Sequence, residues 1–278
     1  MSPRFQRTAA LLALTTAVCA PHLAVAQQAQ NDEPDPNITV RERPRPDYDP
    51  LGIRAGSFLI FPALTLSGLY DSNVFATKND TDSDVAGLVS PQVDIKSNWS
   101  RNAVNFSAGA TGAAYANYSS NDYIDAFASA GGRLDVTRDD IVSGTLRFDR
   151  LHQDRSDPDQ DVLTTVGGSS SGRGNLTRYY RADIDGQYRH NFPRLFTVVG
   201  GGVQRLFYED VGETENSQRD RWEYGARARV GYQVSPRIGT FVQGNYSYRD
   251  YDDDQIIDGN EVSRNSSGFR AAIGSEVD

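Results

Sequence analysis

The sequence predicts an all-β protein, a transmembrane antiparallel up-and-down β-barrel of about ten strands. Three observations carry that expectation: an export signal at the N-terminus, segments in which apolar and polar residues alternate with period two, and connectors that alternate between short and long.

The export signal comes first in the chain. Met1–Arg7 carries Arg4 and Arg7 and no acid, Thr8–Ala20 is apolar or small, and Ala24-Val25-Ala26 offers a small-x-small cleavage site before Gln27. A basic start, a short apolar middle and an Ala-x-Ala end are the three parts of a cleaved secretory signal peptide, assigned to residues 1–26. Val18 ahead of Cys19 departs from a lipobox, which wants a small residue there. Cleavage after Ala26 would remove Cys19, the one cysteine of the chain, and with it any disulfide or thiolate site. It would also remove the two positive charges of Arg4 and Arg7, taking the formal charge from −9 to −11. An acidic balance argues against nucleic acid as a partner, since its binders show a basic footprint.

Residues 27–56 are polar and rich in proline (Pro34, Pro36, Pro44, Pro46, Pro50), a composition that builds no core and favours extended backbone. They are expected to form a disordered arm on the periplasmic side, with the barrel occupying 57–278.

From Ser57 onward the alternation begins. Leu64, Leu66, Gly68 and Tyr70 share one face, opposite Thr65, Ser67 and Asp71; Val89, Pro91, Val93 and Ile95 oppose Ser90, Gln92, Asp94 and Lys96. Val104 to Tyr118 repeats the pattern, and so does Ile124 to Val136, where Asp125, Ser129, Arg133 and Asp135 make the polar side. Val142, Leu146 and Phe148 oppose Ser143, Thr145, Arg147 and Asp149; Tyr180, Ala182, Ile184 and Tyr188 oppose Arg181, Asp183, Asp185, Gln187 and Arg189. Trp222 to Val234 opposes Arg221, Glu223, Arg227, Arg229 and Gln233; Ile238 to Tyr248 and Phe269 to Ile273 close the series. Leu195–Tyr208 is ambiguous, because both of its faces mix apolar residues with glycine. Period-two alternation marks strands with one apolar face, and strands this long suit a tilted crossing of the hydrocarbon layer. Tyr118, Tyr123, Tyr188, Trp222, Tyr246 and Tyr248 fall near strand ends, as interfacial girdles require.

The connectors are the independent check. Short turns are expected at Ser97–Asn102, Thr137–Asp140, Asn191–Arg194 and Ser235–Arg237, and longer acidic or Gly/Ser-rich loops at Thr77–Asp84, Gln153–Asn175, Glu209–Asp220 and Asp250–Asn265, with Ser119–Asp122 a short exception among the latter. Short periplasmic turns and long extracellular loops are the habit of outer-membrane barrels, and a soluble sandwich has no need of that rhythm. No segment of the mature chain approaches the roughly 20 apolar residues of a membrane helix.

Pro62-Ala-Leu-Thr-Leu-Ser-Gly-Leu-Tyr-Asp-Ser-Asn-Val-Phe75 resembles the opening strand of the putative β-barrel porin type 2 family, and Tyr246-x-Tyr-Arg-Asp-Tyr251 is similar to its aromatic-Arg strand ends. The resemblance implies a porin-like barrel in the outer membrane, folded there by the barrel assembly machinery, and that family supplies no catalytic residues to transfer. Such barrels usually end on an aromatic residue, whereas this sequence ends Ile273-Gly-Ser-Glu-Val-Asp278, and members of the family tend to be longer. The expectation preferred on that ground is a piece of a longer barrel, over one that closes about ten strands without the usual ending. Unpaired strand edges in lipid are very costly.

The polar face would line the lumen. Arg133, Asp135, Arg147, Asp149, Arg181, Asp183, Asp185, Arg189, Glu223, Arg227 and Arg229 are the expected pore-lining residues, with Asp125 beside them. Charges held away from bulk water persist when paired or hydrated, so they would either interlock to fill a narrow interior or line a water channel. His152 and His190 lie at opposite ends of the expected barrel, and no spacing marks a nucleophile, base and orienting group; no catalytic role, cofactor or enzyme activity is expected. The acidic run Asp250–Glu261 lacks EF-hand spacing, with Ile256 and Asn265 in ligand positions, so no metal site is expected. Arg173, between glycines with no helix after it, belongs to a loop rather than a phosphate cradle. The function expected is passive diffusion of small polar solutes through an outer-membrane channel in contact with lipid and lipopolysaccharide. The alternative is a non-conducting structural barrel, or one that serves polysaccharide export.

Overall fold

The computed structural model describes residues 50–157, 175–211, 216–235, 237–257 and 260–277. The expected signal peptide, the arm as far as residue 49, and Arg173 lie outside the described residues.

Alternation becomes strand wherever it was read. β1 (Ile53–Ala55) and β2 (Phe58–Asp71) are followed by β3 (Asp84–Ser97), β4 (Ala103–Tyr115), β5 (Tyr123–Asp135), β6 (Asp140–His152), β7 (Arg178–Asn191), β8 (Leu195–Tyr208), β9 (Arg221–Ser235) and β10 (Ile238–Tyr251). A small hairpin, β11 (Gln255–Ile257) with β12 (Asn260–Val262), precedes β13 (Ser266–Val277). The long strands run from 12 to 15 residues. Each pairs antiparallel with its chain neighbours, giving one 11-stranded up-and-down sheet in the order β1 to β10, then β13. Among the described residues no backbone pairing joins the two ends of this ladder, and there is no α-helix.

Two details depart from the sequence reading. The sheet begins at Ile53, ahead of the boundary expected at 57: Gly52 and Gly56 take φ of +70° and +59°, and these left-handed positions, open to glycine, fold Ile53–Ala55 back onto Phe58–Ile60. The ambiguous segment Leu195–Tyr208 is a full strand of 14 residues, fully paired on both sides.

The connectors keep the expected rhythm. Among the described residues, the turns at 98–102, 136–139 and 192–194 lie at one end of the sheet, and 72–83, 116–122, 153–157, 175–177, 209–211, 216–220, 252–257 and 260–265 at the other. The exception at Ser119–Asp122 is a 3₁₀ turn over Ser119–Asn121.

The faces divide by parity, because directly opposed residues of neighbouring strands point the same way. One face carries Leu66, Val89, Phe106, Ile124, Leu146, Ile184, Val199, Val230, Val242 and Ile273, all exposed, Leu66 at 70% and Ile273 at 83%. Nothing in the described chain covers this face. A soluble monomer rarely exposes an apolar patch beyond a few hundred Å², so this face is built for an apolar surround. The other face carries the charges. The few buried side chains lie mostly at the long-loop end, where Val74, Phe75, Leu176 and Tyr208 pack with Asn121, Gln153, Asn216, Arg219 and Asp220.

Candidate functional site: the charged inner face

All eleven residues expected to line a pore share one face of the sheet, opposite the apolar one. Register arranges them in rows running across the strands. Nearest the long-loop end, Phe127, Asp149, Arg181, Leu206 and Arg221 form one row, and Ser129, Arg147, Asp183, Gln204, Glu223 and Arg249 the next. Then come Gly131, Thr145, Asp185, Gly202 and Gly225, and after them Arg133, Ser143, Gln187, Gly200, Arg227, Asn245 and Arg270. The row closest to the short-turn end is Asp135, Ile141, Arg189, Val198, Arg229, Gln243 and Ala272.

The first two rows are a closed ion-pair network. Asp149, 1% exposed, accepts from Arg147 (Nη2 at 2.7 Å) and from Arg181 (Nη2 at 2.8 Å). Arg181 also meets Asp183 at 3.2 Å, and Gln204 Nε2 donates to Asp183 at 2.5 Å. Glu223 holds Arg221 at 2.7 Å and Arg249 at 3.4 Å. Arg147 stacks over Phe127, 4.7 Å from the ring centre, and Arg221 over Tyr251 at 5.5 Å.

Between the rows, Arg227 of β9 reaches across β8 to Asp185 of β7, with both terminal nitrogens at 2.7 Å from its two oxygens. Glycines of β8 lie beneath this bidentate bridge, where the strands also pack closely. A Cβ on Gly200 would lie 2.7 Å from the Gly186 carbonyl oxygen and 3.2 Å from Arg227 Nε, and one on Gly202 would lie 3.0 Å from Asp185 Oδ2. The absent side chains are the channel through which the bridge passes. Gly200→Ala is therefore expected to cost about 1–3 kcal/mol through overpacking, read as a lowered urea midpoint in lipid vesicles. Gly225→Ala, where an added Cβ meets nothing within 4 Å, should stay within about 0.5 kcal/mol of the parent; equal losses would refute the assignment.

The last two rows are different in kind. Arg133 pairs with Asp135 at 3.1 Å, and Arg229 hydrogen-bonds Gln243 at 2.8 Å and meets Glu276 at 3.0 Å. Arg189 hydrogen-bonds Asn191 at 2.7 Å and meets no carboxylate among the described residues. Arg189 and Arg229 stack on Phe196 and Phe241, at 4.4 and 4.0 Å. Those rings in turn lie over Gly231 and Gly274 of the neighbouring strands, as Phe127 lies over Gly109. Inward phenylalanines laid across glycine are the feature that sequence reasoning missed. The readable trace was a Phe on the polar parity of its strand (Phe127, Phe196, Phe241) directly opposite a Gly. Two adjoining cavities occupy this region. One of about 460 Å³ is lined by Arg133, Arg189, Arg227, Arg229, Gln187 and Gln243 among others; the other, of about 450 Å³, lies beside Arg101, Asp135 and Arg138 at the short-turn mouth.

The loops of the opposite end are fixed by polar side chains. Asp84 accepts from Asn117 and Tyr118 backbone N–H groups at 3.0 and 2.9 Å, Arg155 donates to Asn121 at 2.5 Å, and Arg219 donates to Gln153 at 2.8 Å while stacking on Tyr208. Burial pushes the Asp220 carboxyl above its ordinary range and draws the Arg155 guanidinium down. Asp252, from the acidic run, is held below its range by two hydrogen bonds from Arg205. The two histidines sit apart, as expected: His152 contacts Asp125 at 2.9 Å and stacks on Tyr123 near the loops, while His190 contacts Asp140 at 2.6 Å beside the turns.

A consecutive antiparallel ladder with a bare apolar face and a charged opposite face defines the class: a membrane-spanning β-barrel protein. The chain belongs to the family described as putative beta-barrel porin 2, whose model it matches over residues 45–278, and it is an outer-membrane barrel protein. Among solved structures it is similar to "NanC porin structure in rhombohedral crystal form", with 12% identity and a TM-score of 0.37 over 80% of this chain and 98% of that one. It is also similar to "Copper transporter OprC", with 12% identity and a TM-score of 0.46 over 78% of this chain and 37% of that one. No curated protein matches the sequence.

Proposed function

We propose that this protein is a porin-like channel for passive diffusion of small polar solutes, exported by its N-terminal signal, with the eleven inner-face residues lining the pore. The observation that carries this reading is the state of the charges near the short-turn end. They are paired yet remain open: Arg133 and Asp135 keep 23% and 21% of their side-chain surface, and Arg227 and Asp185 keep 34% and 45%. Both cavities touch Arg133 and Ile141, so open space adjoins along this face near the turns. Ion pairs that served only to fill an interior would have closed it, as Asp149 is closed.

In this role the ion pairs set a transverse field that polar solutes and hydrated ions cross, and lipid and lipopolysaccharide meet the apolar face. The full chain in planar bilayers is expected to give discrete, salt-dependent conductance steps. Absence of conductance at every salt concentration, from protein shown to be folded and inserted, would overturn the proposal and favour the non-conducting structural barrel.

A further inference from the structure

We infer that the pore reads charge: the stretch from the short-turn mouth to mid-barrel is a selectivity site for small organic anions that carry a carboxylate or a phosphate. This rests on the channel reading above and names the class of solute for the same lumen.

The first argument is a ledger by rows. On β5 to β13, the two arginine-bearing rows toward the short turns contain Arg133, Arg227, Arg270, Arg189 and Arg229 against one acid, Asp135. Asp185 from the row above and Glu276 from below neutralise Arg227 and Arg229 in part. A cationic excess remains. The acids Asp149, Asp183 and Glu223 all lie toward the long loops, already bonded to Arg147, Arg181, Arg221 and Arg249. The lumen is balanced at one end and basic at the other.

The second argument is geometric. The cavity of about 460 Å³ has Arg133, Arg189, Arg227, Arg229, Gln187, Gln243 and Ser143 on its walls and no carboxylate. That volume lies within the roughly 300–1,000 Å³ of small-molecule sites. Arg189 and Arg229 occupy the same row with only Val198 of β8 between them, so their backbones stand two strand spacings apart, about 9–10 Å. Like charges at that distance across a low-dielectric wall repel unless an anion comes between them. Their stacking on Phe196 and Phe241 engages the guanidinium faces; with Nε of Arg189 bonded to Asn191, and Nε and Nη1 of Arg229 bonded to Gln243 and Glu276, the terminal nitrogens of Arg189 and Nη2 of Arg229 are the donors an anion would meet. A planar fork of N–H donors matches a carboxylate or phosphate in bidentate fashion, and Nε2 of Gln187, whose amide oxygen accepts from Arg227, adds a neutral donor suited to the hydroxyls of the same solute.

Planar-bilayer recording on the full chain tests this. Under a KCl gradient the reversal potential should show chloride preferred over potassium. Millimolar gluconate and glucose 6-phosphate should each reduce the chloride current, and glucose should not; the more effective of the two identifies the preferred headgroup. Arg189→Gln with Arg229→Gln should lower the anion preference about tenfold, in line with the focusing of a charged cleft. Arg189→Lys with Arg229→Lys should keep the preference but weaken block by both anions, because the fork is lost. Arg205→Gln, which alters an arginine on the apolar face bonded to Asp252, should leave selectivity unchanged. If the double glutamine variant fails to fold, as judged by loss of its heat-modifiable band in gel electrophoresis, the single Arg229→Gln variant carries the same test. A wild-type pore that conducts but prefers cations, or is blocked equally by glucose, would overturn this inference while leaving the channel intact. A wild-type protein that does not conduct would overturn the channel reading itself.

Discussion

Asp149→Ala is expected to destabilise the barrel by about 3 kcal/mol, the low end for breaking a buried ion pair. The carboxylate is 1% exposed and is shared by two guanidinium groups on adjacent strands. Its removal leaves Arg147 without an acid partner among the described residues and Arg181 with Asp183 alone, at 3.2 Å. Two cations would then face each other across the site of this buried carboxylate. The loss stays at the low end because Arg147 and Arg181 retain 39% and 33% exposure and can recruit water. The matched control is Asp135→Ala, which removes the partner of Arg133 from a pair that is a fifth exposed on each side; it should cost no more than about 1 kcal/mol. Urea unfolding of both variants in lipid vesicles, followed by tryptophan fluorescence, separates them. Equal losses would mean that the network near the long loops is as hydrated as the mouth.

Ile184→Arg, on the opposite face, is expected to cost about 2–4 kcal/mol, as a cation does near the bilayer midplane on the lipid side of a barrel. Ile184 lies mid-way along β7 and is 60% exposed, flanked by Leu146 and Val203 on the neighbouring strands. In water such a change on an exposed strand position would be nearly neutral. The penalty exists only if this face meets hydrocarbon, so the measurement reads the surround directly. Refolding into vesicles should show the loss, and the neighbouring change Asp185→Asn, one residue on but facing inward, should follow the chemistry of its bridge to Arg227 instead. A neutral Ile184→Arg would remove the membrane face from this side of the sheet.

Much of the fold was legible because the strand period is two. A single run such as Tyr180–Arg189 declares its strand, its two faces and its surround at once, since every second residue is apolar or glycine and the rest are charged or polar. The alternation of short and long connectors gave the up-and-down order before any pairing was known. Leu195–Tyr208 resisted for a physical reason: Gly200 and Gly202 occupy inward positions where a polar side chain would have marked the face, and an added Cβ there would meet the β7 backbone at 2.7 and 2.8 Å. Arg205 breaks the apolar face of the same strand. It stands on the outward face beside Trp222, where Asp252 and Asp220 of the loops meet it.

The sequence by itself determined which residues are strand, which face each occupies, and that eleven charged residues share one side. These are local properties, fixed by parity along a single strand. Only the tertiary structure decided how the charges divide, because partners come from other strands and register is a property of pairs. It set Asp149 between Arg147 and Arg181, spanned β8 with Arg227 and Asp185, and left Arg189 and Arg229 stacked on phenylalanine beside a common cavity. A list of inward arginines and acids looks balanced; the rows made by hydrogen-bond register concentrate the acids at one end and an excess of arginine at the other.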